Sequence, residues 1–228
     1  MRKVWLQSVL IGAAILLSSR APAKNLSAMQ VARKIQAFYE HTSDFQASFR
    51  QDYFSRALGR MRSSTGFVYI KKPGMMRWDY KTPRPKHFVI DGKALYVYDP
   101  DLEQVMRDKS FSGSRLTGAV SFLWGKGDLG REFRVSFSSR KDLGGAGRYV
   151  LQLLPRKKAR FKRLIFVVDK KSFSVLETVV EDPGGNVNHI FFDHVSTNVG
   201  LKDSAFHFDI PPGVDVIDMP KGEDAISQ

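Results

Sequence analysis

From Phe45 onward the apolar residues recur at every second position, and a chain patterned this way can bury them only by forming sheet. Phe45, Ala47 and Phe49 alternate with Gln46, Ser48 and Arg50, and Thr65 to Lys71 continues as a β-branched and aromatic run. Turn chemistry then cuts the pattern into short strands. Met75 to Tyr80 lies between Pro73-Gly74 and Pro83, and Phe88 to Ile90 meets Leu95 to Tyr98 across Asp91-Gly92, a strong hairpin signal. Leu102 to Arg107 follows Asp99-Pro100. Further strands are expected at Phe133 to Phe137, Tyr149 to Leu154, Leu164 to Val168, Val175 to Val180 and Asn188 to Phe192, the last pair joined at Asp182-Pro183-Gly184-Gly185-Asn186. The pattern predicts about ten strands in antiparallel succession.

Two segments follow the helical period instead. Ser27 is placed to cap a helix carrying Val31, Ile35, Phe38 and Tyr39 through about His41. In the middle of the strand series, Ser114 to Trp124 sets Leu116, Val120 and Leu123 on one stripe, and Gly125, Gly127 and Gly130 then loosen the chain. No composition break or charge block divides the chain. The fold expected is mainly β, of the α+β kind: a strongly curved antiparallel sheet whose concave side is covered by the two helices. Strands and helices together offer apolar faces to one another, but composition does not separate a filled core from a cavity.

The start of the chain reads separately. Met1-Arg2-Lys3 is basic, Val4 to Leu17 is mostly apolar, and Ala21-Pro22-Ala23 supplies small residues at a cleavage spacing. This predicts a secretory signal peptide over residues 1–23, leaving a domain over residues 24–228. The chain has no cysteine. An exported domain would therefore carry no disulfides and no thiol for a lipid anchor, so a soluble protein held together by buried apolar area is expected. Loss of Arg2, Lys3 and Arg20 would lower the formal charge from +13 to +10. That excess could steer the protein to anionic surfaces, but along the strands the Lys and Arg residues alternate with apolar ones, as on a solvated outer face. Nucleic-acid binding is not expected of an exported protein.

No catalytic constellation emerges. Gly125-Lys126-Gly127-Asp128-Leu129-Gly130 fits the dinucleotide-binding spacing but follows a helix and lies in no βαβ unit. His189 and His194, five apart on one strand, would face opposite sides, and no other histidines lie close in sequence, so no metal site is expected. Asp91, Asp99 and Asp101 each sit in a turn, where a carboxylate has a local backbone role. Neither a nucleophile elbow nor an H-E-x-x-H helix is present. The residues give no reason to expect an enzyme or a cofactor.

The run Gly66-Phe67-Val68-Tyr69-Ile70-Lys71-Lys72-Pro73-Gly74-Met75-Met76-Arg77-Trp78-Asp79-Tyr80 resembles the central motif of the outer-membrane lipoprotein carrier family, LolA. Asp44 to Gln51 resembles that family's first strand, Asp91 to Pro100 its central hairpin, and Phe206 to Val216 its closing segment. The matches run in order from about residue 28 to 217.

The resemblance implies an incomplete β-barrel with a helical lid over an apolar chamber for acyl chains. It implies a periplasmic chaperone that accepts acylated lipoproteins from an inner-membrane ABC complex and passes them, as a monomer, to an outer-membrane receptor. A lipid-sensing adaptor on the same half-barrel is the alternative. Met76 and Trp78 fall on motif positions whose counterparts line the chamber, and alternation adds Val68, Ile70, Phe49, Leu95 and Val97. Val31 and Ile35, with Leu116, Val120 and Leu123, would form the inner surface of the lid. Lys72 stands where a basic residue, Arg in the best-known form, bonds helix carbonyls and holds the lid closed. A lysine offers one mobile ammonium instead of a planar fork, so the latch would be weaker, or shared with Arg77.

Overall fold

A computed structural model describes residues 25–111 and 127–220. The described part opens with α1 (Ala28–Glu40), whose start is fixed by a reciprocal cap: the Gln30 amide donates to Ser27 Oγ at 3.3 Å while the Ser27 amide donates to Gln30 Oε1 at 2.8 Å. Such a box contributes about 1 kcal/mol to a helix end. The helix buries Val31, Ala32, Ile35 and Tyr39, and leaves Phe38 half-buried.

Among the described residues twelve strands follow, all in one sheet. In chain order they are β1 (Asp44–Ser55), β2 (Arg60–Lys71), β3 (Met75–Thr82), β4 (Lys86–Asp91), β5 (Leu95–Asp99), β6 (Gln104–Asp108), β7 (Phe133–Phe137), β8 (Arg148–Pro155), β9 (Arg163–Asp169), β10 (Val175–Glu181), β11 (Val187–Thr197) and β12 (Asp215–Asp218). Their order across the sheet is β12-β6-β5-β4-β3-β2-β1-β11-β10-β9-β8-β7. Two meanders thus join where β1 pairs with β11, and the sheet ends in two edge strands instead of closing. The expected mainly β architecture, an unclosed curved sheet, is what the chain forms.

Three features differ from the sequence pattern. The first hairpin is far longer than its alternation suggests, with β1 and β2 paired from Asp44↔Lys71 out to Ser55↔Arg60. Its outer part, Ser55 to Ser64, is Arg- and Ser-rich and gives no apolar period to read. The succession is also not wholly antiparallel, because β12 lies parallel to β6. A crossing segment makes that possible: residues 199–214 pass over the outer side of β3 to β5, where Phe206 is fully buried and Phe208 packs on Tyr96 and Tyr98. Lys71 Nζ donates to the Leu201 carbonyl at 2.7 Å and Arg77 Nη1 to that of Ala205 at 3.2 Å, tying the segment down.

The third difference is β9, which is buried on both faces from Leu164 to Val168. Ile165, Val167 and the neighbouring Val179 of β10 share the outer face with two polar clusters. There Glu177 bridges Arg148, at 2.8 Å, and His189, at 2.9 Å, and Glu181 binds Arg163. Extended polar side chains on that face stand where a solvated strand was expected.

Candidate functional site

The inner face of the sheet carries the site, and the pairing register shows how. Across β1 to β6 the residues Ala47, Val68, Trp78, Phe88, Val97 and Met106 are successive partners, forming one row perpendicular to the strands. The next row is Phe45, Ile70, Met76, Ile90 and Leu95. Side chains on one face of a strand recur every second residue, so the two rows are neighbours and make a continuous apolar band. Phe49 extends it, with its ring edge-on to Trp78 at 4.8 Å and to Tyr80 at 5.0 Å between centroids.

All seven wall residues expected from the sequence, namely Phe49, Val68, Ile70, Met76, Trp78, Leu95 and Val97, belong to this band and to one buried cluster. Val31 and Ile35 of α1 belong to the same cluster and are fully buried. Trp78 is the most exposed of the nine at 8%. In this conformation the apolar surfaces of helix and sheet are therefore closed on each other. Leu116, Val120 and Leu123, expected on the second lid helix, lie outside the described residues, as do Gly125 and Lys126 of the glycine-rich stretch. The rest of that stretch forms a single helical turn, Leu129–Glu132, capped by Asp128, whose Oδ1 accepts from the Arg131 amide at 3.0 Å.

The sequence pattern missed Phe45, Ala47, Phe88, Ile90 and Met106 as members of the band. The Asp91-Gly92 hairpin contains the missing signal, because it fixes Ile90 opposite Leu95 and Phe88 opposite Val97. Phe192, from β11, also enters the cluster, with its ring 5.8 Å from Phe45 and 6.4 Å from Trp78. No local pattern could assign it, since β11 reaches β1 only through the long-range pairing.

Polar groups fasten the rim. Lys72, in the turn between β2 and β3, donates its Nζ to the Tyr39 carbonyl in the last turn of α1. A cation there also meets the negative end of the helix dipole. Burial lowers the Lys72 pKa from the ordinary lysine value, with Glu40 opposing the shift. From β10, the Val175 amide donates to the Tyr39 hydroxyl at 3.1 Å. Burial pushes that phenol well above its usual range. One residue of α1 is thus held from β2–β3 by its carbonyl and from β10 by its side chain.

Arg77 takes no part in that fastening. It lies on the outer face and donates its Nε to Asp79 Oδ2 at 2.8 Å, as well as binding the Ala205 carbonyl. Asp91 serves its turn, accepting the Lys93 and Ala94 amides at 2.8 Å each. Asp99 differs from expectation: its side chain caps nothing, and it faces Arg84 at 3.6 Å.

A groove of about 380 Å³ opens beside the C-terminal half of α1, lined by Lys34, Phe38, His41, Thr42, Phe173 and Asn198 among others. None of the wall residues borders it. Among the described residues no group of three or more His, Cys, Asp or Glu side chains is placed to hold a metal, and no helix is long and apolar enough to cross a membrane. The site offers a mainly apolar surface, with Lys72 and the Tyr39 carbonyl bonded at its edge.

Residues 40–209 match the model of a family described as outer membrane lipoprotein carrier protein LolA. An outer-membrane lipoprotein carrier protein of Methylobacillus flagellatus is 28% identical over 184 residues, covering 80% of this chain and 86% of that relative. The protein of the same name from Pseudomonas aeruginosa is 28% identical over 216 residues, covering 93% of this chain and 98% of its own. In fold, a conserved protein of Thermus thermophilus superimposes with a TM-score of 0.53 at 12% identity, over 84% of this chain and 99% of its own. With the family model spanning most of its length, this chain belongs to the outer membrane lipoprotein carrier family, LolA.

Proposed function

We propose that this protein is a periplasmic chaperone that shelters the acyl chains of lipoproteins while they travel from the inner to the outer membrane. The observation that carries the reading is the apolar band, Met76 and Trp78 at its centre, facing a helix whose end is fastened by Lys72. A leader over residues 1–23 would export the chain, and residues 24–228 would be the carrier domain. An inner-membrane ABC complex would load it and an outer-membrane receptor would unload it, with no covalent chemistry done by the carrier.

Physical chemistry explains why such a helper is needed and why it must open. Each acyl CH₂ is worth about 0.8 kcal/mol in lipid, so a chain of roughly 16 carbons resists transfer to water by more than about 10 kcal/mol. A closed apolar interior offers that chain an equivalent environment only after helix and sheet part. Tyr39 supplies a natural division: its hydroxyl bond to β10 would stay as the pivot while the Lys72 bond to its carbonyl breaks. A charge-assisted hydrogen bond contributes about 1.5–3 kcal/mol, small enough to be exchanged for contacts with cargo.

The direct test is isolation from the periplasm under gentle conditions, followed by mass spectrometry. Acylated lipoprotein should accompany the protein; a carrier recovered free of acylated cargo from cells making lipoproteins contradicts the reading. Replacing Lys72 with Met keeps the aliphatic stem and removes the ammonium. Cargo should then exchange about ten-fold faster or more, as 1.4 kcal/mol is ten-fold in a rate or equilibrium. An unchanged exchange rate would mean that Lys72 does not hold the lid.

A further inference from the structure

The long β1–β2 hairpin contributes nothing to the apolar band at its outer end, yet it projects and is exposed there. Beyond the Thr65↔Thr82 pair, β2 runs on from Arg60 to Ser64 without β3 beside it, an overhang of about 16 Å at the usual rise per residue. On its other side β11 accompanies β1 as far as Phe54↔Val187, one residue short of the end of β1, and the Arg56 amide donates to Asn186 Oδ1 at 3.0 Å, so the overhang lies on the β2 side alone. The tip holds three large exposed apolar side chains, with Phe54 at 38%, Leu58 at 62% and Met61 at 66% of full exposure. Phe54 and Met61 are directly paired and share one face, while Leu58 sits in the turn.

The charges around them have one sign. Between Tyr53 and Thr65 there are three arginines, Arg56, Arg60 and Arg62, and no acid. Among the described residues, none of the three is paired with a carboxylate. The nearest acids are engaged elsewhere: Asp52 accepts from Arg50 and from Ser63 Oγ, and Asp182 accepts from the Asn186 amide and side chain. Arg60 and Arg62 pair with Ser55 and Tyr53, on the face opposite Phe54 and Met61. The β8–β9 loop, with exposed Lys157 and Lys158, leaves the sheet at the same end.

We propose that this hairpin tip docks the protein on an anionic lipid bilayer, with Phe54, Leu58 and Met61 entering the interface and Arg60 and Arg62 contacting headgroup phosphates. Exposed apolar side chains stand here at the end of the sheet beside arginines without carboxylate partners, and a fluid anionic surface is a partner that needs no shape match. Apolar insertion backed by basic residues is the usual composition of an interfacial anchor. It also assigns part of the positive excess that a solvated sheet face leaves unexplained. The inference does not rest on the carrier reading, since the tip would dock whether or not an acyl chain lay inside.

The test uses the chain lacking residues 1–23 and sedimentation with vesicles of phosphatidylcholine alone or mixed with phosphatidylglycerol. The protein should sediment with the mixed vesicles, progressively less as salt rises, and the R60Q/R62Q double variant should bind about 25-fold more weakly, five-fold for each arginine. In a Leu58→Trp variant, fluorescence should shift to the blue on the mixed vesicles. Binding that is unaffected by R60Q/R62Q, or no blue shift at position 58, overturns the proposal. So does failure to bind vesicles by a protein that instead captures an acidic polypeptide through the same arginines. Lipoprotein loading, measured separately, reports on the carrier reading alone.

Discussion

Replacing Met76 with Glu lowers the amount of acylated lipoprotein recovered with the protein by more than about ten-fold. Met76 is 3% exposed and lies between Ile70 and Ile90 in the apolar band, so a carboxylate there meets no hydrogen-bonding partner along its row. Burial would push the new carboxyl toward its neutral form, which lets the chain fold at some cost in stability. An acyl chain laid against the same wall must still displace the polar group's remaining water, a cost of about 1–3 kcal/mol or more. Met76→Leu conserves volume and apolarity and should keep its load. The readout is cargo per folded protein, with folding verified by circular dichroism for each variant. Full loading of Met76→Glu would remove the band from the cargo path.

Gly66→Ala is expected to cost about 3 kcal/mol and lower the melting temperature by about 10 °C, measured by calorimetry. A Cβ at this position would stand 2.1 Å from the Asp79 carbonyl oxygen and 2.9 Å from Cε1 of Phe49. Backbone of β3 cannot yield the space without disturbing its pairing, and Phe49 is held between Trp78 and Tyr80. Glycine here permits close approach: it lets β2 and β3 come together at the register shift between Thr65 and Gly66 while the aromatic rings fill the face above. A change below about 1 kcal/mol would mean that the two strands have slack at this point.

The local grammar of the chain was readable because each cue acts over a few residues. Ser27 with Gln30 set the start of α1, and Asp91-Gly92 set a hairpin with its register. Alternation links Phe49, Val68, Ile70, Leu95 and Val97, the family motif adds Met76 and Trp78, and strand pairing brings all seven into one buried cluster. What escaped depends on contacts distant in sequence. Phe206 opens the run that resembles the family's closing segment, and its burial follows from residues 199–214 crossing the outside of the sheet, which no local pattern shows. Ile165 and Val167 on the outer face of β9 are buried beside the network of Arg148, Glu177 and His189, a neighbourhood that only strand pairing reveals. The outer half of the first hairpin has the composition of a loop, and its strand form follows from the partner opposite it. Lys72 illustrates the limit most clearly. Its turn is evident from Pro73-Gly74, but its bond to a carbonyl 33 positions away was expected from family resemblance and not from any pattern.

The carrier reading depends on acyl chains entering between α1 and the sheet. Trp78 reports on that space directly. In a chain lacking residues 1–23 and carrying Trp124→Phe, it is the one remaining tryptophan. Titration with a lipopeptide bearing nitroxide-labelled acyl chains should quench Trp78 emission saturably, and unlabelled lipopeptide should restore it. Saturable binding of the lipopeptide with Trp78 emission unchanged would contradict the account, because the cargo would then lie elsewhere on the protein.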